Sequence, residues 1–133
     1  GFAGETEEDF YTTIENLRKS GLSQIHVFPY SIREGTAGAK AENQINENIR
    51  QIRADVVKAL SALKHIEFIN KNIGKEHEIL IEKHPDKKTG MLKGITRNYL
   101  TVLVKSKDEN LYNTLQKIKI TKYENNKIYG ELI

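Results

Sequence analysis

Lys71-Asn72-Ile73-Gly74-Lys75-Glu76-His77-Glu78-Ile79-Leu80-Ile81-Glu82-Lys83 is where this chain changes its hydrophobic period. Upstream, Ile45, Ile49, Ile52, Val56, Leu60, Leu63, Ile66, Ile69 and Ile73 step by three or four residues, which predicts a long amphipathic helix over roughly residues 43–72. Its apolar stripe is expected to face a core, because the polar face mixes both signs of charge and is not the basic surface of a membrane-lying helix. Downstream the apolar residues fall into short β-type runs at 76–83, 91–96, 100–105, 116–123 and 127–132. Turn chemistry separates them, at Pro85-Asp86-Lys87-Lys88-Thr89-Gly90, Lys107-Asp108-Glu109-Asn110 and Asn125-Asn126. Five short strands in so few residues predict a small antiparallel barrel of the oligonucleotide-binding size class. The domains are therefore 1–73 and 74–133.

Toward the N-terminus, Thr6 followed by Glu7, Glu8 and Asp9 marks a helix start, with a capping hydroxyl and acids at the positive end of the dipole. Phe10, Ile14 and Leu17 follow at helical spacing until Gly21, and residues 24–30 then read as a strand. Loop, helix and strand make a piece of a parallel α/β fold whose neighbouring strands are missing. The first residue is Gly1 rather than Met, inside what reads as a strand-to-helix loop, so the chain is expected to be part of a longer protein. An orphaned strand exposes unpaired backbone groups. Residues 1–40 are accordingly expected either to pair with another copy in a homodimer, the preferred outcome, or to pack irregularly against the long helix.

Among 133 residues there is no cysteine, which excludes disulfides and any thiolate-held zinc or iron-sulfur site within the chain. No apolar run approaches membrane-spanning length and no secretory leader is legible, so a soluble chain with no membrane partner is expected. The net charge of +3 is unevenly spread. Residues 1–71 hold 9 Lys+Arg against 10 Asp+Glu, and residues 72–133 hold 12 against 8, so the basic surplus is C-terminal. Such a surplus suits a phosphate backbone as well as a plain solvated surface.

Two segments carry candidate chemistry. In Ser31-Ile32-Arg33-Glu34-Gly35-Thr36-Ala37-Gly38-Ala39-Lys40 an apolar run gives way to clustered polar groups, with Arg33 suited to bidentate pairing with carboxylate or phosphate, or else to an ordinary ion pair with Glu34. Lys93-Gly94-Ile95-Thr96-Arg97-Asn98-Tyr99 places cations, a hydroxyl, an amide and an aromatic on one hairpin, a set able to grip phosphates and stack a base or simply to form a solvated tip. Lys75, Lys83, Lys87, Lys88 and Lys122 extend that footprint if they share a face. His26, His65, His77 and His84 lie on separate elements, with no pair at metal-ligand spacing on a helix face. Neither a nucleophilic triad nor a phosphate-binding glycine loop is legible.

Gly1-Phe2-Ala3-Gly4-Glu5-Thr6 and His26-Val27-Phe28-Pro29-Tyr30-Ser31-Ile32-Arg33-Glu34-Gly35-Thr36 resemble two loop motifs of the radical-SAM tRNA methylthiotransferases, and Gly94 to Tyr99 resembles the core of the TRAM domain, a small RNA-binding barrel. Ala3 and Ile32 stand where the family has proline. The resemblance covers the whole chain in family order. It implies an α/β fragment from the end of a radical-SAM partial TIM-type barrel, a connecting helix, and an all-β TRAM/OB-like barrel. It further implies a cytoplasmic enzyme that adds a methylthio group to a hypermodified adenosine beside the tRNA anticodon, using S-adenosylmethionine and 4Fe-4S clusters held in the full-length parent. Neither cofactor is expected on this cysteine-free piece, which should be inactive alone. By the same resemblance Glu5, Phe28, Tyr30 and Ser31 line the S-adenosylmethionine pocket, Arg33 and Thr36 belong to a substrate-binding loop, and Lys93, Thr96, Arg97, Asn98 and Tyr99 bind tRNA. The His-Val-Phe-Pro-Tyr-Ser form is closest to the branch acting on threonylcarbamoyladenosine, with the isopentenyladenosine branch as the alternative. A third branch of the family it resembles, which modifies a ribosomal protein, usually carries an acid at the position of Arg33, which argues against that branch. A stand-alone RNA-binding module with a helical assembly arm stays open as a different class.

Overall fold

The computed structural model describes residues 1–133 and divides into two compact units, Gly1–Glu67 and Phe68–Ile133. Helices are α1 (Glu7–Lys19), α2 (Ala37–Lys40) and α3 (Glu47–Asn72); strands are β1 (Glu76–Ile81), β2 (Leu92–Thr96), β3 (Thr101–Val104), β4 (Leu115–Glu124) and β5 (Lys127–Leu132). No helix is long and apolar enough to cross a membrane.

In Gly1–Glu67, α1 starts at the expected cap. The Thr6 hydroxyl accepts from the Asp9 amide at 3.1 Å while the Asp9 carboxylate accepts from the Thr6 amide at 2.9 Å, a reciprocal capping box. These Thr6 contacts also hold the Asp9 carboxyl below its ordinary range.

The strand expected over residues 24–30 is not formed. A strand needs a ladder partner, and no strand of this unit provides one. The extended period survives all the same, because Ser23, Ile25 and Val27 are partly covered while Gln24, His26 and Phe28 point outward. Side chains of α3 take the place of a neighbouring strand. The Ser61 hydroxyl accepts from the Ile25 amide at 2.9 Å and lies 3.1 Å from the Ile25 carbonyl as a donor, so one side chain serves both backbone groups. Arg50 donates to the Tyr30 carbonyl at 2.7 Å, and Lys64 donates to the Arg18 and Ser20 carbonyls at 3.3 and 2.8 Å, at the negative end of α1.

This arrangement corrects the orientation expected for α3. Within this unit its apolar stripe does not face a core, since Ile49, Ile52, Val56, Leu63 and Ile66 are exposed; only past Glu67, at Ile69, does a member of the stripe enter one. Arg53, Ser61 and Lys64 are the buried polar residues of the same helix within this unit. Irregular backbone presents amides and carbonyls that must be satisfied, and leaving one unpaired costs about 1–3 kcal/mol. The donor-bearing face of α3 therefore turns toward residues 1–40.

In Phe68–Ile133 the strands close into a barrel in the order β1-β2-β3-β5-β4. All ladders are antiparallel except β3 with β5, which pair in parallel through Val102↔Ile128 and Val104↔Gly130, a departure from the all-antiparallel expectation. Ile79, Ile81, Leu92, Leu100, Val102, Val104, Ile118, Ile120 and Ile128 fill the interior, joined by Ile69 from the last turns of α3. A Cβ on Gly94 would lie 2.9 Å from the Leu80 carbonyl oxygen and from Ile79, so β1 and β2 approach as they do because this position has no side chain. Asn125 and Asn126, at φ 52° and 58°, make the tight β4–β5 turn.

Asp86 secures the β1–β2 loop. Its carboxylate accepts from the Thr89 amide and hydroxyl at 2.8 and 2.7 Å and from Lys127 at 2.9 Å. The Lys127 contact, then those from Thr89, hold the carboxyl far below the usual range. A lowered native pKa adds stability that is complete above the unfolded value, near about pH 4, and is lost as pH falls below it. Urea midpoints measured across acid pH are expected to fall for the native chain and to lose that part of the slope in Asp86→Asn.

Candidate nucleic-acid interface and pocket residues

Between β2 and β3 the chain turns through Thr96-Arg97-Asn98-Tyr99-Leu100. The Tyr99 amide donates to the Thr96 carbonyl at 3.0 Å and the Thr96 amide to the Leu100 carbonyl at 2.9 Å. Thr96 is only 3% exposed, and its hydroxyl accepts from the Leu100 amide at 2.8 Å while donating to Asn98 at 2.5 Å. Asn98 in turn donates to Asn72 at 3.2 Å, and Asn72 to the Phe68 carbonyl at 2.7 Å. Thr96 and Asn98 thus build the turn and tie it to the end of α3.

That network fixes Tyr99 in the left-handed region, at φ 66°, with the residue 84% exposed. Such a conformation costs a non-glycine residue about 1–3 kcal/mol and persists only where its surroundings impose it. An aromatic ring displayed on a locked turn can stack an unpaired base. Arg97 and Lys93 also lie on the outer surface, but each meets an acid on the β1 side: Arg97 pairs with Glu78, and Lys93 with Glu82 at 2.7 Å.

The closed strand order, with its parallel β3–β5 ladder, is that of an OB-like barrel, a fold whose β2–β3 face and β1–β2 and β4–β5 loops take up oligonucleotides in other proteins. Here the β1–β2 loop carries Lys83, Lys87 and Lys88. Lys127, at the start of β5, reaches back to Asp86, so this loop and the β4–β5 hairpin meet. Lys122 lies 5.0 Å over the Tyr129 ring and contacts Glu124 at 2.7 Å. Tyr129 and Lys127 went unremarked in the sequence, since only the cross-loop contact reveals their place.

In Gly1–Glu67 the residues singled out are brought together in pairs. Tyr30 and Ser31 line a cleft of about 330 Å³ with Pro29, Ile32, Glu47 and Arg50. Glu5 and Phe28 line a second cleft of about 140 Å³ with Val27, Arg50, Arg53 and Val57. Arg50 borders both. Tyr30 meets Phe2 edge to face at 4.9 Å. Arg53, missed in the sequence because it falls inside the helical pattern, is 6% exposed and donates to the Glu5 carbonyl at 2.9 Å, the Glu5 carboxylate at 3.2 Å and the Glu7 carboxylate. Its guanidinium also lies 5.4 Å from the Phe10 ring centre. The Glu7 contact, ahead of Glu5, raises the Arg53 pKa further. Phe28 is 86% exposed. Thr36 caps α2, accepting from the Ala39 amide at 3.2 Å and donating to the Arg33 carbonyl at 2.8 Å, while the Arg33 guanidinium is exposed and makes no ion pair, not even with Glu34. No group of three His, Cys, Asp or Glu side chains is placed to hold a metal ion.

Comparison with known proteins finds relatives along the full length of the chain. It is 36% identical over 124 residues to the threonylcarbamoyladenosine tRNA methylthiotransferase MtaB of Bacillus subtilis, a match covering 92% of this chain and 27% of that protein. It is 36% identical to the tRNA-2-methylthio-N(6)-dimethylallyladenosine synthase of Alkaliphilus oremlandii and 35% to that of Caldicellulosiruptor saccharolyticus, each covering 100% of this chain and 28% of the relative. The chain therefore spans little more than a quarter of the relatives it matches. No family model matches it.

Proposed function

We propose, from the premise that this chain belongs to the MtaB- and MiaB-type tRNA methylthiotransferases, that its barrel is the tRNA-binding module of such an enzyme and that Gly1–Glu67 forms one wall of its S-adenosylmethionine pocket. The substrate adenosine in this reading is threonylcarbamoyladenosine. The motif from His26 to Ser31 alone supports that choice; relatives named for the two substrates match the chain equally well and do not decide between them. Cleavage of S-adenosylmethionine and supply of sulfur belong to iron-sulfur clusters, and a chain without cysteine offers them no thiolate ligand. What this chain contributes is shape and charge.

The pocket residues do not fit their expected roles equally. Both the carbonyl and the carboxylate of Glu5 are engaged by Arg53, so Glu5 holds the loop rather than presenting a free acid. Phe28, by contrast, offers an open ring face to an adenine, and Tyr30 and Ser31 border a separate cleft beside it.

The observation that carries the RNA reading is Tyr99: an aromatic held at positive φ and left almost wholly in solvent, on a turn whose Thr96 and Asn98 side chains are spent on fixing it. Replacement by glycine separates function from stability. Tyr99→Gly relieves the left-handed strain and is expected to raise barrel stability by about 1 kcal/mol in urea unfolding. It also removes the stacking ring, worth about 1–3 kcal/mol per base, so tRNA should bind roughly tenfold more weakly or worse. A variant that is more stable and binds tRNA as the native chain does would remove Tyr99 from the interface.

A further inference from the structure

The cations of the barrel unit divide into two sets. Lys93, Arg97, Lys122 and Lys127 each pair with a carboxylate, and Lys117 and Lys119 stand across the β1–β4 ladder from Glu78 and Glu76. Their charge is offset where it lies. Lys71 and Lys75 adjoin the negative end of α3, and Lys107 is followed at once by Asp108 and Glu109. Lys83, Lys87, Lys88 and Lys105 remain, all exposed and without an ion pair. They fall together at one end of β2. The β1–β2 ladder, carried on from Ile81↔Gly94, sets Lys83 beside Leu92, and the β2–β3 ladder, carried on from Leu92↔Val104, sets Lys105 beside Met91. Lys87 and Lys88 sit on the turn between these two, which is closed by the Asp86 amide on the Met91 carbonyl at 2.9 Å and the Gly90 amide on the Asp86 carbonyl at 2.8 Å. The nearest acids are spent: Asp86 accepts from Thr89 and Lys127, and Glu82 pairs with Lys93.

From this sorting of charge we infer that the β1–β2 loop end of the barrel is a phosphate-holding surface, on which Lys83, Lys87, Lys88 and Lys105 carry the electrostatic part of tRNA binding. The inference rests on the reading of the barrel as a tRNA-binding module. Tyr99 lies at the opposite end of the same ladder, beyond Ile95↔Thr101, while the lysines lie beyond Leu92↔Val104. At the rise of a β-strand the two ends are about 15 Å apart, a span that suits a short single-stranded stretch of the few nucleotides a small barrel takes. An aromatic face at one end and free ammonium groups at the other match a chain that alternates bases with phosphates; an acidic peptide would use only the second. The two ends then differ in kind. A base stacked on Tyr99 releases no counterion, whereas each phosphate met by a lysine does, so salt dependence belongs to the lysine end alone.

Anisotropy of labelled tRNA with the intact chain across a salt series tests the inference. The triple variant Lys87→Gln, Lys88→Gln, Lys105→Gln should flatten the slope of log affinity against log salt by about 2, and its urea midpoint should stay at the native value because these side chains are exposed. Tyr99→Ala should lower affinity at every salt concentration and leave the slope unchanged. Lys117→Gln, Lys119→Gln, whose lysines face acids, should also leave it unchanged. If the triple variant does not fold, Lys87→Gln, Lys88→Gln is read in its place and should flatten the slope by about 1. A native chain whose affinity does not vary with salt overturns this inference together with the tRNA reading. A steep native slope that the lysine variants keep, or that Lys117→Gln, Lys119→Gln flattens as much, overturns this inference alone.

Discussion

Ile118→Ala is expected to leave the barrel barely folded. Ile118 lies on β4 with no solvent exposure and belongs to the central cluster. Truncating a buried isoleucine to alanine removes its transfer free energy and leaves a cavity, at a cost of about 2–5 kcal/mol. A core in a domain of this size supplies only about 3–5 kcal/mol in total. The urea transition should therefore shift to very low denaturant, followed by far-UV dichroism. Leu115→Ala is the control on the same strand: Leu115 is exposed on the outer face, and its loss should change stability by less than about 0.5 kcal/mol. Equal effects at the two positions would mean that β4 does not present alternate residues to a closed interior.

The second large effect falls on Gly1–Glu67. Arg53→Ala deletes one side chain that satisfies a carbonyl and two carboxylates of the loop entering α1, and it leaves those acceptors facing a helix with nothing to offer. Removing one partner of a buried charged hydrogen-bond set costs about 3–5 kcal/mol; Glu7 is solvated here, so roughly 2–3 kcal/mol is expected. Hydrogen exchange should show the amides of α1 losing protection while those of β2 and β4 keep theirs. Arg53→Lys is expected to rescue little, because a single ammonium cannot span the same three acceptors.

How far the sequence could be read depended on whether an element's reason lay within it or outside it. The five strands were legible because alternating apolar residues and turn residues at Asp86, Gly90, Asn125 and Asn126 are local signals, and the observed bounds shift by a few residues at most. The parallel β3–β5 pairing was not legible, since strand pattern does not name a partner. For α3 the period gave the helix but misled on its direction: apolarity favoured an inward stripe, whereas the need of unpaired backbone at Ile25, Tyr30 and Ser20 for donors turned Ser61, Arg50 and Lys64 inward. Residues 24–30 kept a strand's alternation without its ladder. At the interface, the stretch from Lys93 to Tyr99 was visible as a hairpin tip, but not that Thr96 and Asn98 serve the turn while Tyr99 is displayed. Hydroxyls and amides read alike in sequence whether they face solvent or their own backbone.

The most direct test is the affinity of the intact chain for tRNA as a function of salt, measured beside the double variant Arg97→Ala, Tyr99→Ala and an unrelated acidic polymer. Log affinity should fall linearly with log salt, as release of counterions from neutralised phosphates requires. The double variant should bind tRNA at least tenfold more weakly with its fold intact, and the polymer should compete poorly at physiological salt. A polymer that binds as well as tRNA, together with a double variant indistinguishable from the native chain, would contradict the assignment of this barrel as a tRNA-binding module.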